Sequence, residues 1–220
     1  MKINTFLISK AKSEVFNWAL GLYTLATGMT VVDGWISDPS DPAQGVIGSL
    51  QTLQALSPVQ VAEGAIGVGA ALTMWGVLQS CFARTKRAFH FTFLGLMMVF
   101  SLLTFICTTL FTYSTDTAIR TFASHFVNYS YSAIAINTVL LGAFMVGGCV
   151  GKLRAYGASL IIAPIFMGGI TLLNYYLYNV AGGLTLPEIA TYVNMGSIIG
   201  LVLTVLPMGL LRWALETEEN

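Results

Sequence analysis

Glu63, Asn137, Asn174 and Asn194 are the residues of this 220-residue chain whose setting invites chemistry. Each stands inside a long apolar run. Taking an ionisable or amide group out of water and into hydrocarbon is expensive, so such a group is a functional-site hypothesis by default. Gathered together, the four form a vestibule that is acidic at Glu63 and otherwise neutral, a setting that holds a small solute. Thr104, Thr108 and Thr109 add hydroxyls in a neighbouring segment. The competing reading is structural. Asn and Thr make ordinary interhelical hydrogen bonds, and a Glu a turn and a half into a helix sits comfortably near the positive end of the helix dipole. On that reading Glu63→Gln is nearly silent, because the dipole contributes at most about 1 kcal/mol at an exposed site.

Other chemistry finds no footing. His90 opens one apolar segment, whereas His125 lies in the opposite loop, a bilayer apart, so they cannot share a metal. There is no His-Glu-x-x-His and no Gly-x-Ser-x-Gly. Cys81, Cys107 and Cys149 stand singly on three segments without a Cys-x-x-Cys, which reads as packing and not as redox chemistry. Asp33, Asp38 and Asp41 place carboxylates at odd spacing, but Pro39 and Pro42 among them mark a turn-rich linker rather than a cation site. Asn128-Tyr129-Ser130 matches a glycosylation sequon. The balance of ten basic and ten acidic residues, with no basic run, argues against nucleic acid. No cofactor and no metal are expected.

The elements that must position these residues are membrane helices. Only 9% of the chain is charged, against about 25% in soluble domains. Six apolar stretches, at about 13–35, 59–82, 90–113, 131–151, 158–180 and 191–213, are each long enough to cross a hydrocarbon core of roughly 30 Å. Threading them in order puts Lys2, Lys10, Lys12, Arg84, Lys86, Arg87, Lys152, Arg154 and Arg212 on one side, with Arg120 alone opposite. Cytoplasmic loops retain Lys and Arg, so that side is the cytoplasm and both termini are inside. The first segment reads as a retained signal anchor, and a bacterial-type inner membrane suits the whole. Residues 1–220 form a single membrane domain. Trp35, Tyr175, Tyr176 and Tyr178 mark the outer interface, and Trp213 the inner one.

The links sharpen the picture. Inner links at 83–89 and 152–157 are short and basic, while outer links run about 36–58, 114–130 and 181–190. Asp41-Pro42 followed by Val46, Ile47, Leu50, Leu53 and Leu56 predicts a short amphipathic helix in the first outer loop. Ser57-Pro58-Val59-Gln60 and Thr185-Leu186-Pro187-Glu188 fit capping boxes that open the second and sixth segments. Ile119, Phe122 and Phe126 give a weaker helical pattern in the second outer loop, and Glu216–Asn220 reads as a solvated acidic tail. Pro164 and Pro207 predict kinks in the last two segments.

Small residues four apart let helix backbones approach closely. Ala65-x3-Gly69 overlaps Gly67-x3-Ala71 in segment 2, Gly147-x3-Gly151 ends segment 4, and Gly196-x3-Gly200 lies in segment 6. The pattern predicts that segments 2, 4 and 6 pack centrally. The whole reads as an all-α, six-helix polytopic membrane bundle in contact with lipid and with itself or other membrane proteins. The function expected first is a non-enzymatic subunit, a scaffold or pore-forming part of a larger assembly. The alternative is a small-solute transporter or channel with an outward vestibule, and an intramembrane enzyme ranks last. The lack of acidic or basic residues near the bilayer midplane weighs against ion-coupled transport.

Overall fold

The computed structural model describes residues 3–36, 56–180 and 183–218. Six helices dominate: α1 (Lys10–Ile36), α2 (Pro58–Arg84), α3 (Ala88–Tyr113), α4 (Thr117–Gly148), α5 (Gly151–Asn179) and α6 (Leu186–Ala214). They run 26 to 32 residues, and all six are long and apolar enough to cross a membrane. Large apolar side chains point away from the bundle on every helix, among them Trp18, Ile66, Val99, Ile136, Leu172 and Val202. A water-soluble protein rarely leaves so much contiguous apolar surface bare. The chain is a polytopic α-helical membrane protein.

Short links make chain neighbours antiparallel partners. The extensive contacts run from α1 to α6 in order, and α6 returns to α1 to close a ring. The second, fourth and sixth helices therefore do not gather at the centre, as their small residues predicted. Bulky side chains fill the middle instead. At the end of the bundle that carries the chain termini, each helix contributes at least one side chain with 0% exposure, among them Phe16, Leu78, Leu94, Met145, Tyr156 and Leu211. All lie within about two turns of that end. They form a closed apolar layer across the ring.

The tightest crossing is also one the small-residue motifs did not flag. On α4 and α5, a Cβ placed on Gly142 would meet the Gly157 carbonyl oxygen at 2.7 Å, and one on Gly157 would meet Met145 Cβ at 2.6 Å. Only glycine admits backbones this close.

Helix boundaries follow their caps. The Ser57/Gln60 box opens α2, with Ser57 N–H donating to Gln60 Oε1 at 2.9 Å and Gln60 N–H to Ser57 Oγ at 3.2 Å. At α6 the Glu188 carboxylate accepts from the Thr185 N–H and hydroxyl, both at 2.8 Å. Two boundaries differ from expectation. Asp116 accepts from Ala118 N–H at 2.8 Å and starts α4 at Thr117, so most of the expected second outer loop is helix. There Ala123 and Val127 bury against Cys107, and the Arg120 guanidinium lies 4.7 Å from the Phe111 ring. The expected 152–157 link is likewise helical. The turn is only Cys149-Val150, tied down by Val150 N–H to the Ile3 carbonyl (2.9 Å) and Lys152 N–H to Asn4 Oδ1 (3.0 Å).

The C-terminal segment corrects a further expectation. Leu215–Thr217 is a short strand, β2, paired in parallel with β1 (Phe6–Ile8), in register Phe6↔Leu215 and Ile8↔Thr217. Phe6 meets Phe82 edge-on at 5.6 Å. Glu216 pairs with Lys152 at 3.0 Å and Glu218 with Arg84 at 3.6 Å. Residues 215–217 are strand-paired rather than frayed, held by the burial of Phe6, Ile8 and Leu215, while the side chains of 216–218 stay exposed. The amphipathic helix expected near residues 42–56, with Asp38 and Asp41, lies outside the described residues apart from Leu56.

Candidate functional site

Above the closed layer the ring is hollow. A cavity of about 640 Å³ lies between α1, α2, α5 and α6, toward the end opposite the termini. Glu63 enters it from α2, Asn174 from α5 and Asn194 from α6. At 1.5 Å per residue, Glu63 sits about 8 Å along α2 from that far end, and Asn174 about 8 Å from the same end of α5. The lining continues down α6 to Thr204, about 27 Å along that helix. On α6 the lining thus passes the middle of the helix, while on α1, α2 and α5 it ends about 15 Å short of the closed layer.

Three of the four expected vestibule residues therefore meet. Asn137 is not among them. It is buried on α4, and its Nδ2 donates to the Ala133 carbonyl of its own helix at 2.9 Å. Thr104 likewise serves α3 and α4, within 2.7 Å of the Ser130 hydroxyl. Thr108 and Thr109 donate to carbonyls of their own helix.

Glu63 is only 4% exposed. Neither of its carboxylate oxygens has a hydrogen-bond partner among the described residues. The side-chain oxygen of Asn174 is also unpartnered. Buried polar groups are almost always satisfied, so two unsatisfied side chains sharing one cavity require an explanation. Among the described lining residues Glu63 is the one ionisable side chain.

The surrounding hydroxyls complete the lining. Thr27, Thr30, Thr171, Ser197 and Thr204 each donate to a backbone carbonyl four residues earlier, at 2.8 to 3.0 Å. Their protons are spent on their own helices, and only acceptor lone pairs remain for the cavity. These five were not singled out from sequence. A signal was present: Asn194, Ser197, Leu201 and Thr204 recur at helical spacing, as do Thr171 and Asn174.

The small residues divide between wall and surface. Gly67, Gly196 and Gly200 line the cavity. A Cβ on Gly67 would meet Ala26 at 3.7 Å, one on Gly196 would meet Ile170 at 3.2 Å, and one on Gly200 would meet Met167 at 3.5 Å. Ala65 is exposed, and Gly69 and Gly147 face open space. Gly151 lies at the start of α5 with φ +53, its Cβ position filled by the Asn4 side chain.

Among the described residues no three His, Cys, Asp or Glu gather closely enough to hold a metal ion. The comparisons with known proteins return no match to a family model, a curated protein or a solved structure.

Proposed function

We propose that this protein binds a small solute in the half-bundle cavity and serves as a membrane transporter, with the cavity open at one end and closed at the other. One observation carries the reading: a buried, unpartnered carboxylate on the wall of a 640 Å³ cavity spanned by four helices. A scaffold has no use for such a residue, since replacing it with an apolar side chain would stabilise the fold. Ligand cavities of roughly 300–1,000 Å³ with a few convergent polar groups are the usual form of a small-molecule site. The closed layer around Leu78, Met145 and Tyr156 argues against a continuously open pore and in favour of a gated site. The charge split, nine basic residues against one, supports a cytoplasmic location for the terminal end and an inner-membrane setting.

The test is accessibility. Thr204→Cys at the floor of the cavity, with Cys81, Cys107 and Cys149 replaced by Ala, is treated in oriented vesicles with a small charged thiosulfonate. A transporter that exchanges between conformations reacts from both sides, and a static vestibule reacts from the far side alone. No reaction from either side, in a protein that still elutes as a monodisperse species, refutes the reading.

One observation favours assembly alongside transport. On α1, Val15, Trp18, Leu22, Leu25, Met29 and Val32 are exposed and recur at alternating steps of three and four. Gly21 and Gly28 flank the stripe with nothing near them. This is the seam by which left-handed helix pairs interlock. Disulfide trapping of Leu25→Cys between copies, in that cysteine-free background, tests the seam. Trapping no faster than at the lipid-facing Leu172→Cys assigns the stripe to lipid.

A further inference from the structure

We propose that the cavity recognises a small organic monocation, a protonated amine carried on an apolar body. This inference rests on the solute-binding reading and adds the chemical class. Charge comes first. Glu63 is a lone carboxyl group, and the described lining holds no Lys, Arg or His to pair with it. A buried carboxylate needs a counter-charge or a proton, and one carboxylate neutralises one positive charge. A divalent ion would leave a net positive charge in a low-dielectric site.

Hydrogen-bond capacity points the same way. Acceptors outnumber donors around the cavity: five hydroxyl oxygens whose protons already serve Tyr23, Ala26, Met167, Val193 and Gly200 carbonyls, and the buried, unpartnered Glu63 oxygens and Asn174 Oδ1 within the wall. The amide NH₂ groups of Asn174 and Asn194 are the side-chain donors among the described lining residues. An ammonium group is the complement of such a wall, because it brings three donors and no acceptor. A carboxylate or phosphate ligand would face the Glu63 carboxyl group and find only the two amide NH₂ groups as side-chain donors.

Size then separates an organic cation from a bare ion. A water molecule takes about 30 Å³ of liquid volume, so 640 Å³ far exceeds one dehydrated ion. Val31, Val68, Met167, Ile170 and Leu201 line the remainder of the wall and fit a hydrocarbon body.

The experiment uses the full chain in lipid nanodiscs, with calorimetric titration and thermal shift. Ethylammonium, n-butylammonium and benzylammonium are each compared with the alcohol and the carboxylate of the same carbon skeleton. Sodium and potassium chloride are run alone. At least one ammonium should bind ten-fold or more tightly than its alcohol and its carboxylate. Glu63→Gln should lose at least ten-fold for that ammonium, and Asn174→Ala should weaken it while both variants remain monodisperse. Equal binding of ammonium and alcohol, unaffected by Glu63→Gln, overturns the cation class and leaves a solute site. Stabilisation by sodium or potassium alone, lost in Glu63→Gln, assigns an inorganic ion and overturns the organic body. Failure of every probe, together with an unreactive Thr204→Cys, overturns the solute-binding reading as well.

Discussion

Gly142→Ala should separate the roles of the glycines on α4. The added methyl carbon would stand 2.7 Å from the Gly157 carbonyl oxygen, 2.8 Å from Ile161 Cγ1 and 3.1 Å from Leu160 Cβ. Carbon atoms rest about 3.5–4.0 Å apart, so the helices must move by roughly 0.5–1 Å. The oxygen is backbone and cannot swing aside. Leu141, Met145, Tyr156 and Leu160, all 0–4% exposed, pack along the same interface, so the movement loosens them too. Overpacking of this kind costs about 1–3 kcal/mol. Gly→Ala returns about 0.8–1 kcal/mol of helix propensity, leaving a net loss of about 0–2 kcal/mol. Gly147→Ala meets nothing within 4 Å and keeps the propensity gain, so the two variants should differ by about 1–3 kcal/mol. Unfolding in mixed micelles with increasing dodecyl sulfate, followed by tryptophan fluorescence, measures the difference. Gly157→Ala removes the same close approach from the other side, so the double variant should cost less than the sum. Gly142→Ala as stable as Gly147→Ala would show the α4–α5 crossing to be looser than described and refute the reasoning.

Glu63→Leu should stabilise the empty protein by about 1–3 kcal/mol, the penalty of an unsatisfied buried polar group, while abolishing ligand binding; a drop in stability without ligand contradicts the orphan carboxylate. Asn4→Ala removes the side chain that accepts from Lys152 N–H, and should cost about 0.5–2 kcal/mol. Hydrogen exchange at residues 151–154 reads this directly, and unchanged exchange there would show that Asn4 does not hold the start of α5. An impermeant maleimide should reach Lys86→Cys and His125→Cys from opposite faces of the membrane, since α3 lies between them; labelling from one face breaks the topology.

The sequence carried the coarse architecture with little ambiguity. Apolar length decides whether a helix crosses a bilayer, and this property is local. Six crossing helices were therefore legible, as were the capping boxes at Ser57/Gln60 and Thr185/Glu188. Errors gathered where a polar stretch is helical for tertiary reasons. Residues 117–130 carry only a weak helical pattern at Ile119, Phe122 and Phe126, and it is the burial of Val127 and Ala123 against Cys107 that makes them a continuation of α4 rather than a separate loop helix. Residues 152–157 are basic but open α5, because Asn4 from the far end of the chain caps them. The three-residue strands at Phe6–Ile8 and Leu215–Thr217 are too short to show a period.

The site was partly legible for a related reason. A lone Glu63 in an apolar segment is conspicuous anywhere, so sequence alone raised it, with Asn174 and Asn194 beside it. Local sequence holds no account of which faces look at one another. Only the closed ring places α1, α2, α5 and α6 around one space, turns Asn137 back to its own helix, and leaves the Glu63 carboxylate without a partner. The same packing shows Gly142 and Gly157 to be the closest approach and leaves Gly147 idle. Composition and hydropathy decide which segments enter the membrane, because transfer free energy is a sum over individual residues. Burial, pairing and cavity are properties of contacts between distant segments, so they exist only once the ring has closed.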